Sequence, residues 1–104
     1  MTEPNLIKKR NARFQKYLHD AVEHFRRGED DPGMKEFLSS MEELETLVML
    51  DQNSEDPRID FDQLLPMVRG LYFYMQNQDI TGITDLLEYT LIPLSQEWFE
   101  GRED

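Results

Sequence analysis

Apolar residues recur along this chain every three or four positions in four separate runs, and nowhere alternate strictly with polar ones. That spacing predicts four amphipathic helices and no strand. The first, over about 4–27, carries Leu6, Ile7, Phe14, Tyr17, Leu18, Ala21, Val22 and Phe25 on one stripe, with Pro4 in its first turn and Gly28 just past its end. Asp31 as N-cap and Pro32 as first helical residue open a second helix over about 32–50, striped by Met34, Phe37, Leu38, Met41, Leu44, Leu47 and Val48. Residues 51–57 contain no apolar side chain and end in Pro57, which predicts the longest loop.

A third helix is expected over about 61–77. Asp60 and Gln63 stand at capping-box spacing before a stripe of Phe61, Leu64, Leu65, Val68, Leu71, Tyr72 and Met75. Pro66 falls in its second turn and should kink the helix or delay its start. The fourth, over about 80–100, follows Asp79 or Thr81 as cap and is striped by Ile83, Leu86, Leu87, Thr90, Leu91, Leu94 and Trp98, with Gly101 closing it. Pro93 removes the N–H that would bond the Tyr89 carbonyl, so a bend is expected there. Four such helices on short connections predict an all-α, antiparallel up-and-down four-helix bundle, one domain over 1–104.

Charge adds an asymmetry that periodicity does not show. Seven of the eleven Lys and Arg lie within residues 1–27, which carry about +4, while the rest of the chain carries about −15. Lys8, Lys9, Arg13 and Lys16 form a basic face opposite the first apolar stripe. Such a helix could dock on the acidic body of its own chain or reach an anionic partner. The acidic body itself disfavours nucleic acid and anionic lipid. No apolar run approaches the ~20 residues of a membrane span, and no secretory leader precedes the first helix, so a soluble, cytoplasmic protein is expected. Cysteine is absent, which removes disulfides, thiol nucleophiles and Cys-based metal sites.

Candidate chemistry is sparse. His19 with Glu23, and Asp20 with His24, are four apart, but the two histidines are five apart and do not share a face. Glu42, Glu43 and Glu45 invite comparison with the magnesium-binding helices of all-α nucleotide pyrophosphohydrolases; here Glu42 and Glu43 lie opposite the apolar stripe instead of converging inward. Phosphate loops, nucleophile elbows and Ser/His/Asp arrangements are missing. No catalytic residue, metal or cofactor is expected.

A surplus of apolar side chains points elsewhere. Phe73 and Tyr74 on the third helix, and Tyr89, Ile92 and Phe99 on the fourth, fall outside the stripes those helices need for a core. Apolar residues in excess of a core mark contact surfaces, here for a homodimer or a helical partner. The stretch DITGITDLLEYTLIPLSQEW, Asp79 to Trp98, together with GEDDPGMKEF, resembles a family of small uncharacterised helical proteins of Gram-positive, Bacillus-like bacteria. That resemblance implies a cytoplasmic helical protein and no particular activity. A looser likeness, in size and helix pattern only, is to flagellar export chaperones. The expected function is accordingly a non-enzymatic interaction module that associates with itself or holds a helical client. The alternatives are an adaptor whose basic first helix binds an acidic partner or nucleic acid, and a metal-dependent hydrolase.

Overall fold

The computed structural model describes residues 2–98. Four helices account for most of them: α1 (Thr2–Arg26), α2 (Asp30–Gln52), α3 (Phe61–Gln76) and α4, which is α-helical over Ile80–Leu86, π-helical over Leu87–Leu91 and α-helical again over Ile92–Trp98. Among the described residues there is no strand.

α1 organises the packing: it lies against α2 along its length and against all three parts of α4, while α3 packs on the first part of α4. Its buried stripe, Ile7, Phe14, Leu18, Ala21 and Phe25, follows the predicted one, with Tyr17 and Val22 half-buried at its margin, but Leu6, expected on the stripe, is 41 % exposed. Phe14 stacks on Trp98 with ring centroids 6.4 Å apart and planes 5° from parallel. Trp98 is 4 % exposed. Gln15 Nε2 donates to the buried Ser95 hydroxyl at 2.7 Å, a polar link between α1 and α4.

Both helix pairs turn by one device. After α1, Gly28 takes φ +78°, the Glu29 N–H bonds the His24 carbonyl and the Gly28 N–H the Phe25 carbonyl. After α3, Gln78 takes φ 55°, the Asp79 N–H bonds the Tyr74 carbonyl and the Gln78 N–H the Met75 carbonyl. These are Schellman closures, in which a left-handed residue turns the last carbonyls back onto backbone donors. In each turn an aromatic ring then covers a glycine of the next helix. A methyl group on Gly33 would lie 2.6 Å from the Phe25 ring, and one on Gly82 would lie 2.6 Å from the Tyr74 ring.

The boundaries depart from expectation where backbone donors need partners. α2 starts at Asp30 after Glu29, not at Pro32 after Asp31. Pro32 thus sits third in the helix, still among the first four positions whose N–H groups have no helical acceptor. α2 also runs two residues beyond the predicted end, and Asp51, expected in a loop, is helical and fully buried. Its carboxylate accepts from the Arg58 N–H at 2.8 Å and the Ile59 N–H at 2.9 Å, folding residues 53–60 back onto the end of α2. Arg58 extends this tie to the end of α4, its Nη1 donating to the Trp98 carbonyl at 3.5 Å. Asp60 caps α3 by accepting from the Asp62 N–H, and Asp79 caps α4 by accepting from the Gly82 N–H, each at 2.9 Å. Gly101, expected to close α4, lies outside the described residues.

The π-helical turn in α4 changes which side chains face inward. The Ile92 N–H bonds the Leu87 carbonyl, five residues back, one position before Pro93, which brings no N–H of its own. A π turn winds fewer degrees per residue than an α turn, so the inward face slips along the sequence. Thr90, predicted on the stripe, is exposed; Ile92 and Ser95 are buried in its place.

Candidate helix-binding groove

α2 and α3 flank α1 and α4 yet scarcely touch each other, and a trough opens between them. Its lining is Met41, Leu44, Glu45, Val48 and Met49 from α2, with Leu64, Val68 and Tyr72 from α3, around a volume of ≈ 390 Å³. Leu44 and Leu64 are buried and form the floor, and the outer edges carry large apolar groups in contact with solvent. On α3, Phe61, Leu65 and Tyr72 are 39 %, 44 % and 44 % exposed; on α2, Leu38 and Met49 are 44 % and 62 % exposed. At 100° per residue these extend each core stripe round to the side facing the trough, so each helix carries an apolar arc wider than its own packing uses. The opening is about 17 Å long, from residues 38–49 and 61–72 at 1.5 Å per residue.

The charged side chains of α1 mostly find partners within the chain. Arg10 Nη1 lies 3.3 Å from both oxygens of Glu43 on α2, and Arg13 is 3.5 Å from the same carboxylate. Arg26 reaches α4, its Nε donating to Glu88 at 3.1 Å and its Nη2 to Asp85 at 3.3 Å. The Glu88 hydrogen bond is the main cause holding the Arg26 guanidinium above its ordinary pKa. Lys16 bonds Asp20 at 2.9 Å, which likewise raises its ammonium pKa, and Lys8 and Lys9 are exposed. Of the expected basic face, then, Arg13 and Lys16 pair in cis. All of these pairs leave the open trough untouched.

The other candidates separate in space. His24 Nδ1 lies 2.7 Å from Glu29 in the first turn, and His19 is exposed. Glu43 is paired with α1, Glu42 is exposed, and Glu45 lines the trough. Among the described residues no group of three or more His, Cys, Asp or Glu could hold a metal ion. Likewise among them, no helix is long and apolar enough to cross a membrane.

The expected α3/α4 surface is present only in part. Phe73 and Tyr89 are 61 % and 68 % exposed, and Phe73 meets Tyr74 edge to face at 6.0 Å. Tyr74 is half-buried over Gly82 and borders a shallow depression shared with Asp85, Leu86, Tyr89 and Thr90. Ile92 does not belong to this surface: the π turn rotates it into the core, where it is 7 % exposed. Phe99 lies outside the described residues. The trough is not legible in the sequence because Met41, Leu44, Val48, Leu64 and Val68 lie on the same stripes that supply the core. Periodicity marks an apolar stripe without showing whether a neighbour covers it; the one visible signal was the breadth of the α3 arc, with Phe61 and Leu65 beside Leu64.

The family model of DUF8042, a domain of unknown function, matches residues 11–101, and the chain belongs to that family. No curated protein and no solved structure matches the chain.

Proposed function

We propose that the chain is a non-enzymatic interaction module that holds an amphipathic helix of a protein partner in the trough between α2 and α3. The observation that carries this reading is the trough itself: an apolar floor of Leu44 and Leu64 under large apolar edges left exposed to solvent. Exposed apolar surface of this kind marks an interaction site, and a groove between two helices suits the apolar face of a third. Two of its lining residues, Met41 and Met49, carry flexible side chains that adapt to different occupants, in keeping with a chaperone- or adaptor-like role. Few polar groups converge on the trough, which favours a helix over a small molecule needing several fixed hydrogen bonds.

The underlying architecture is an antiparallel up-and-down bundle whose α2/α3 seam is open, bent at Pro66 and at the π turn before Pro93. The short turns after α1 and α3 support the antiparallel course, and a proline or a π turn within a helix is a recognised cause of a kink. A reducing cytosol is the compartment best suited to a chain without cysteine.

Titration with a leucine-faced amphipathic peptide, followed through the methionine methyl resonances, tests the site. Met41 and Met49 should shift, while Met67, packed against the core and absent from the trough lining, should stay still. Shifts confined to Met67, or no shift at any methionine, would overturn the reading.

A further inference from the structure

Resting on that reading, we infer that the partner helix is basic along one edge, the edge that lies over α2. The two walls of the trough differ in character. On the α3 wall the outward positions Phe61, Leu65 and Tyr72 are uncharged, and the exposed charged residues beside them, Asp62 and Arg69, are of opposite sign. On α2, Glu45 lines the trough, and Glu42, three residues earlier on the same outward face, is exposed beside it. Neither makes an ion pair among the described residues, whereas Glu43, one position round the helix, is bound to Arg10 and Arg13. The carboxylates that α1 cannot reach are thus the ones beside the opening. Side chains three apart on a helix are neighbours, so Glu42 and Glu45 present one paired acidic edge.

Their complement is a helix whose apolar face fills the trough while Lys or Arg, spaced three or four apart, line its α2 side. The opposite flank should be apolar, to cover Phe61, Leu65 and Tyr72. An opening about 17 Å long accommodates about three turns, or apolar anchors at i, i+3 or i+4, i+7 and i+11. A second copy of this chain is the poorer occupant. Each copy carries a net charge of −11, so the long-range field opposes the approach of two copies and draws in a cationic segment.

The experiment uses the full chain and two labelled amphipathic peptides of identical leucine face, one with lysine along a single edge and one with glutamate there. Fluorescence anisotropy should show the lysine-edged peptide binding about tenfold more tightly, a margin that shrinks as salt is raised, in line with a few exposed charge pairs. The double variant Glu42→Lys/Glu45→Lys, altered only at exposed positions, should reverse the preference. Equal binding of both peptides to the natural chain would overturn the charge assignment and leave the groove reading standing. If neither peptide binds, or if Leu65→Ser/Tyr72→Ser binds as the natural chain does, the groove reading itself fails. A chain that sediments as a dimer until Leu65→Ser/Tyr72→Ser makes it monomeric would overturn the assignment in favour of a second copy.

Discussion

Removing the Asp51 carboxylate should unlatch the connection between the two helix pairs. Asp51→Ala deletes both acceptors used by the Arg58 and Ile59 N–H groups, of which the first bond is partly buried and the second buried. A buried donor stripped of its acceptor costs roughly 1–3 kcal/mol. Water can reach the Arg58 N–H in part, and relief of the carboxylate's own desolvation offsets some of the loss, so the net destabilisation should be about 2–4 kcal/mol. Against a stability of about 5–15 kcal/mol for a domain of this size, that is a large share. Asp51→Asn keeps the shape and one acceptor but turns an NH₂ toward the other donor, and should lose about 1–2 kcal/mol. Urea unfolding followed by the fluorescence of Trp98, the only tryptophan, and by far-ultraviolet circular dichroism gives the ranking. Amide exchange at Ile59 should accelerate in Asp51→Ala more than exchange in the middle of α1. Coincident midpoints for the three proteins, with Ile59 exchange unchanged, would refute the latch.

The remaining expectations concern packing and turn geometry. Trp98→Ala should cost about 3–5 kcal/mol, because it removes a buried ring and its stack on Phe14; an unchanged denaturation midpoint would show that the ring contributes nothing. Gln78→Gly should stabilise the chain by about 0.5–1 kcal/mol by relieving a left-handed residue that carries a Cβ, read as a raised midpoint, and a lowered one would argue against the turn geometry. Ile92→Lys should destabilise by about 3 kcal/mol or more, whereas Phe73→Lys should stay within about 0.5 kcal/mol; thermal melts of both variants reversing that order would refute the rotation assigned to the π turn.

Much of this molecule was determined locally. Periodicity alone located four helices, their order and most of the buried face of α1, because an amphipathic stripe is a property of consecutive residues; on α2 it found Phe37, Leu44 and Leu47 but also included Leu38, which is exposed. Gly28, Asp60 and Asp79 likewise announced their turn and caps, since each acts on backbone within a few positions of itself. The pairing of Arg10 and Arg13 with Glu43 depended instead on which face α2 turns to α1. Burial of Asp51 required a loop returning from seven and eight residues ahead. The burial of Ile92 followed from a π-helical turn over Leu87–Leu91 that slipped the inward face of α4, which packing against α1 decided. The trough between α2 and α3 lies furthest from the sequence: Leu64 and Leu65 look alike as letters, and only the packing of the four helices against one another decided that one would be floor and the other an exposed edge, because burial is a relation between surfaces and not a property of a residue.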